Sequence, residues 1–516
     1  MARKRISISV FQIFIALLII IVVVTIVIVV KKNVNFEQIG VSKELEKDFA
    51  GSGTKEDPYK IEKIEDLVKL SEKVNMGESY TNQYFELIDK LDFQNDESYA
   101  NANSKYGDLN RDGKIENIKT ELTTNDGFQT IGDTEEHPFE GNFNGNDQTI
   151  KNLLIYANSQ NENIMAGLFG NNKGTISNVR VIGNITVNGS LENKKIYIGM
   201  IAAKNEGLVQ ACKTEGEIKE SITNPNNVIE VAGIVANNKG KIADSSSSVN
   251  ITASQLKAGI TAQNIVASDI ENSGDIINCT NAGDIKEEIG SEYYTAGIVA
   301  DNKQGNITSC NNTGSVEGRI AGGIVGKSTG YIVACQNAGN ISNVKEESND
   351  TEFAGGIVGI LDTTTVENCK NTGNISGLTN VGGIAGKNSG TIVQSRNEGD
   401  ISKISGTTGK TVNLGGLVGK NSPTAKLANS KNYGGVSSET DNLVNLGGIC
   451  GVIYNNSTVE LCENNGTLKG SAKIITPNED VSLHCTSCTN NNGGNAETAD
   501  YGELNIGIIY GKFEEK

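Results

Sequence analysis

Tryptophan is absent from the 516 residues, histidine occurs twice, proline five times, and aromatic residues make up 5% of the chain. Each scarcity excludes something. Large aromatic rings supply much of the buried area of globular cores, so several ordinary domains cannot be filled from this composition. Two histidines, His137 and His484, cannot build a multi-histidine metal centre. Basic charge is also short. The 45 Lys and Arg face 62 Asp and Glu, a net charge of −17. Phosphate backbones need a basic footprint, so nucleic acid is excluded as a partner.

One apolar run breaks this pattern. Ile6 to Val30 carry no charge over 25 positions, and Arg3, Lys4 and Arg5 precede them. At about 1.5 Å per residue such a helix crosses a hydrocarbon core of about 30 Å with some tilt. The run is longer than a cleaved signal's apolar region and lacks a small-residue end. The expectation is an uncleaved signal anchor over 1–32, with the remainder outside the cell. Residues 33–50 read as a polar stalk. Beyond the anchor the chain holds 40 basic and 62 acidic groups, a net −22.

Glycine is abundant, at 60 residues, and it is periodic. The pattern appears as AGLFG at 166–170, AGIVA at 232–236 and 296–300, and GGIVG at 322–326 and 355–359. It returns as GGIAG at 382–386, GGLVG at 415–419 and GGICG at 447–451. The central glycines from 167 to 448 are spaced about 31 residues apart on average. A period in the range of about 20–50 residues signals a solenoid or propeller. The unit GGIVGKSTGYIVACQNAGNIS, 322–342, holds three short apolar pieces separated by Asn, Gly and Ser. Each alternates or is β-branched and reads as strand. Three strands per coil give a roughly triangular parallel β-helix, the Gly and Asn between strands suiting corners of positive φ and the small first residues of G-G-I-V-G letting adjacent sheets approach closely. Propeller blades need more strands and aromatic signatures that are missing.

Residues 51–160 differ. Residues 61–75 put Ile64, Leu67, Val68, Ser71 and Val74 on one helical face, 84–93 alternate as a strand, and 139–155 resemble early coils. The expected organisation is an all-β parallel β-solenoid. It comprises an anchor at 1–32, a stalk at 33–50, an α+β cap with first coils and an insertion at 51–160, repeats at 161–511 and a charged tail at 512–516.

These repeats resemble the GLUG-motif family, named for Gly-Leu-any-Gly and found in bacterial surface proteins. The leading segment is similar too, through Gly53-Thr54-Lys55-Glu56-Asp57-Pro58-Tyr59 and Phe139-Glu140-Gly141-Asn142-Phe143-Asn144-Gly145-Asn146. In that family the repeats accompany adhesins, wall-associated proteins and some immunoglobulin A-specific metallopeptidases. H-E-x-x-H is nowhere in this chain, so the resemblance implies a surface repeat module and no peptidase.

Three sets of residues invite chemistry. Asp108, Asn110, Asp112, Lys114 and Glu116 match the start of a calcium loop, with oxygens at positions 1, 3 and 5 and a glycine at 6. Lys119 stands where the closing carboxylate belongs. Calcium is therefore the one candidate cofactor, and the alternative is an acidic turn. Cys212, Cys279, Cys310, Cys335, Cys369 and Cys462 share one repeat slot, which Ser395 and Ser430 also fill. Exchange with serine marks a small interior position of free thiols. His484-Cys485-Thr486-Ser487-Cys488 is the one C-x-x-C, too few ligands for zinc alone. Acidic residues including Asp275, Asp284, Asp301 and Asp400 keep a polysaccharide-active enzyme as the runner-up, although Asp284 and Asp400 exchange with Asn340 and Asn374 as turn residues do. The expected role is a membrane-anchored, extracellular, non-enzymatic rod, structural, adhesive or ligand-presenting, its partners being the membrane and a surface glycan or protein.

Overall fold

The computed structural model describes residues 48–93, 127–157, 163–189, 191–222, 224–288, 293–343, 352–404, 411–438, 444–454, 456–470, 485–490, 505–507 and 510–514. The apolar run 6–30 and the loop carrying Asp108, Asn110, Asp112, Lys114 and Glu116 lie outside them. Among the described residues no helix is long and apolar enough to cross a membrane. Two compact units are distinguished, Met1–Asp48 and Phe49–Lys516, and the second is the subject here.

The described residues of Phe49–Lys516 form a parallel β-helix. Its coils enter on face 1, an 11-stranded sheet. They turn onto face 2, a sheet of 23 strands, and close on face 3. One coil shows the plan. Ile320–Gly322 lies on face 1, Val325–Ser328 and Ile332–Val333 on face 2, and Gln336–Asn337 and Ile341–Ser342 on face 3. Each strand pairs in parallel and in register with its counterpart one coil on, as Gly322 with Gly355, Val325 with Val358 and Ile341 with Ile375. The repeat therefore divides into five short strands on three faces, not three strands. The Gly-Ile pair of each motif is the bend between faces 1 and 2, so the motif is two strand ends and a corner.

The glycines of the motif are explained by contact. A Cβ on Gly323 would lie 2.1 Å from the Gly356 carbonyl oxygen and 2.4 Å from Asn337, and one on Gly322 would lie 1.8 Å from the Val325 carbonyl oxygen. Positive φ is carried elsewhere. At the corner between faces 2 and 3, one residue per coil is left-handed, including Asn278 (φ 53°), Ser309 (56°), Ala334 (55°), Asn368 (54°) and Leu461 (52°). It stands immediately before the cysteine slot. Asparagine tolerates this conformation and leucine does not. Leu461 is also 53% exposed. Leu461→Asn is expected to stabilise the fold by about 1 kcal/mol, read as a higher urea midpoint at unchanged slope.

The interior holds small and β-branched side chains: Ile324, Val325, Ile332, Cys335 and Ile341 are all buried. Buried asparagines run through it as two hydrogen-bonded columns. On face 3, the Nδ2 of Asn281, Asn312, Asn337, Asn371, Asn397 and Asn432 each donates to the Oδ1 of the next coil's asparagine at 2.7–2.9 Å. The same nitrogens donate to backbone carbonyls two residues on, as Asn337 to Gly339 at 2.8 Å. On face 2, Asn172, Asn205, Asn238, Asn264 and Asn302 form the second column, and Asn302 passes it to Ser328. Aromatics gather at the N-terminal end instead of spreading along the coil. Phe85, Phe139, Phe143 and Phe169 are fully buried, with Phe139 and Phe169 ring centres 5.0 Å apart. The helix Ile64–Asn75 lays Ile64, Leu67, Leu70, Ser71 and Val74 into this end.

Faces 3 and 1 are joined by connections of variable length. Three are two residues long, at 254–255, 318–319 and 378–379. Each is tied down by a side chain of the preceding coil. Glu220 accepts from Ser254 N at 2.9 Å and Oγ at 2.7 Å, Glu287 from Arg319 N at 2.8 Å, and Asn343 from Leu378 N at 2.6 Å. Short connections expose little backbone to water, so a buried acceptor must replace it.

Candidate functional site: the seam between faces 1 and 2

The face 1–face 2 corner bends toward the outside, correcting the triangular section to one with a re-entrant edge. Two observations establish this. Outward residues of face 1 are nearly as buried as inward ones: Met165 is 8% exposed, Tyr197 7%, Glu230 2%, Ile320 6% and Asn380 3%. Outward side chains seven residues apart also touch across the bend. Asn237 Nδ2 donates to Glu230 Oε2 at 2.8 Å, and the Lys204 ammonium lies 5.5 Å from the Tyr197 ring centre. The motif's last residue, Ala203, Ala236, Ala262 and Ala300 in earlier coils and Gly326, Gly359 and Gly386 in later ones, lines the floor. A Cβ on Gly386 would meet Phe353 Cβ and the Ala354 nitrogen at 2.9 Å. Tight closure of the corner is thus the physical content of the small terminal residue.

The seam is where ionisable groups from several coils meet. Lys204 pairs with Glu135 of the cap at 2.7 Å, which holds the Glu135 carboxyl below its usual range. Glu230 is pushed up to about 7 by burial, only partly offset by the Asn237 hydrogen bond and by Lys303. Two coils on, burial raises Asp301, opposed by Lys303 at 3.6 Å and by Lys327. Tyr197 is pushed up to about 12 by burial and by Glu230, and burial raises Tyr294 also. Burial works against the Lys327 charge, but Tyr294 and Asp362, the latter at 3.4 Å, outweigh it and raise the group. Such a network can hold a proton at neutral pH on Glu230. Among the described residues no group of three or more His, Cys, Asp and Glu side chains is placed to share a metal ion.

Of the acids singled out from sequence, only Asp301 is in the seam. Asp284 accepts from Ser315 N at 2.9 Å and Asp400 from Gly435 N at 2.8 Å, both in face 3 turns, and Asp275 accepts from Asn306 at 3.1 Å. Glu230 and Glu135 carried no sequence signal, because their neighbours come from other coils.

Residues 354–376 match the GLUG motif. They run from the end of a face 1 strand through the bend, both face 2 segments, left-handed Asn368, Cys369 and ladder residue Asn371, to Ile375–Ser376 on face 3. One coil of the chain thus matches the GLUG motif. The motif is nearly one complete coil, and in-register pairing repeats it along the chain. A stretch of 176 residues, 34% of the chain, is 26% identical to Halomucin of Haloquadratum walsbyi and corresponds to 2% of that protein's length. A solved structure from Bacteroides ovatus, described provisionally as an immunoglobulin A1 protease, is 16% identical over 86% of each chain with a TM-score of 0.24. Overlap at that level leaves the fold resting on the ladders themselves.

Proposed function

We propose that this protein is an acidic surface rod, anchored through residues 6–30 with its solenoid outside the cell, whose role is structural, adhesive or ligand-presenting. The observation that carries the reading is the parallel stacking of the three faces and of the asparagine columns, which makes each coil the template of the next and resists bending. The likeness to Halomucin and the GLUG motif support an extracellular setting. The net charge of −17 favours a soluble, extended presentation. The calcium loop around Asp108, Asn110, Asp112, Lys114 and Glu116 adds a cation-dependent contact to this proposal.

A second reading, a polysaccharide-active enzyme, draws on the Glu230–Asp301 stretch of the seam, where burial raises both carboxyls. Perturbed groups in one place are a mark of active sites, and also of packed ion networks. Full-length protein reconstituted in liposomes and exposed to a glycan panel separates the two. The rod reading expects retention of particular glycans at unchanged chain length. Release of reducing ends that disappears in Asp301→Asn would replace it with the enzyme reading.

A further inference from the structure

The cysteine slot forms a column in space. Register pairs Thr280 with Asn311, Asn311 with Gln336 and Gln336 with Lys370, so the residues just before them, Cys279, Cys310, Cys335 and Cys369, stack on four consecutive coils. All four are buried free thiols. The column is bounded above by Ser395, which follows Cys369 in register, and below by Ser245. The column is contiguous: the Cys310 N–H donates to Cys335 Sγ one coil on at 3.4 Å, while the Cys310 and Cys335 thiols donate to the carbonyls of Thr308 and Val333, each at 3.4 Å. Burial raises the Cys310 thiol.

Coil spacing makes this column more than a packing motif. Parallel rungs repeat at about 4.8 Å. A metal–thiolate bond is about 2.3 Å, as for zinc, so a linear sulfur–metal–sulfur unit spans about 4.6 Å. A tetrahedral ion does not match, since no third acidic, histidine or cysteine group converges there among the described residues. A two-coordinate ion does. Thiolates select soft Cu(I) over harder cations.

We propose that Cys279, Cys310, Cys335 and Cys369 are a binding column for Cu(I), each ion seated between sulfurs of successive coils. Seating one Cu(I) forms two Cu–S bonds and displaces two thiol protons to solvent, leaving a bis-thiolate of net charge −1, and the filled column holds three Cu(I) on four thiolates, again a net −1. Copper stays Cu(I) throughout, so no oxidant or reductant is consumed. The column offers three gaps, Cys279–Cys310, Cys310–Cys335 and Cys335–Cys369.

The fold supplies its own controls, because serine already occupies this slot at Ser245, Ser395 and Ser430. Full-length reduced protein is titrated anaerobically with Cu(I)–acetonitrile against a chromogenic Cu(I) chelator, followed by sulfur-to-copper absorption and native mass. Cys335→Ser removes two of the three gaps and is expected to lose about two copper ions per chain. Cys212→Ser should lose none, since Cys212 stacks between Val179 and Ser245. Equal loss in both variants, no loss in Cys335→Ser, no copper held against the chelator, or column thiols already paired as disulfides would each overturn the proposal. Unchanged melting of both serine variants confirms that they fold.

Discussion

Asn337→Asp is expected to cost about 4 kcal/mol at neutral pH, and Asn337→Ser about 1 kcal/mol. Asn337 is 1% exposed and sits in the middle of the face 3 column. Its Nδ2 donates both to Gly339 O at 2.8 Å and to Asn371 Oδ1 at 2.7 Å, and its Oδ1 accepts from Asn312 at 2.8 Å. Aspartate keeps the acceptor but turns a charged oxygen toward two other acceptors, with no water to relieve it. Serine can supply both roles over a shorter reach. Ser328 does so on face 2, accepting from Asn302 at 3.0 Å and donating to Gly330 O at 2.8 Å. Solenoid stability is carried from coil to coil. The aspartate variant should therefore split urea unfolding into two transitions, one for each side of the break. Acidification should recover part of the loss, because the introduced carboxyl regains a donor once it is protonated. Equal midpoints for the aspartate and serine variants would refute the column's role.

The periodicity made the solenoid legible, because a coil cannot bury its apolar face alone and must repeat to do so. The serine-for-cysteine exchange made the interior slot legible for the same reason: Ser395 and Ser430 sit in line with Cys369 and Cys462. Other features depend on which coil lies next door. In N-C-x-N, the first asparagine is the left-handed corner, as Asn278, and the second is a ladder residue, as Asn281, yet both look like turn residues in one dimension. The motif glycines were legible as places of close approach: a Cβ on Gly323 would meet a carbonyl oxygen one coil away, and one on Gly322 a carbonyl of its own coil. The re-entrant seam was hidden because Glu230 and Asp301 are 71 positions apart and come to the same edge, two coils apart, only through stacking. Even the aromatic shortage was uneven: Phe139, Phe143 and Phe169 fill one end, where the cap widens the core.

Glu230 gives the seam a measurable pH signature. Burial pushes its carboxyl from 4.5 up to about 7, so the folded state holds a proton that the unfolded chain releases between those values. Below about pH 4.5 both states are protonated and no stability is lost. As pH rises toward 7 the unfolded state ionises freely while the folded state cannot, and the fold loses about 3 kcal/mol from this group, constant thereafter. Glu230→Gln keeps an oxygen to accept from Asn237 and can never ionise. The variant is expected to exceed the parent by about 3 kcal/mol at pH 8 and to match it near pH 4. Other shifted acids, Asp301 among them, remain in both proteins, so the difference between the two urea midpoint curves isolates Glu230. A flat difference across this range would mean that water or a lysine neutralises Glu230 in the fold. The seam would then be a solvated ion network, and its support for the enzymatic reading would be gone.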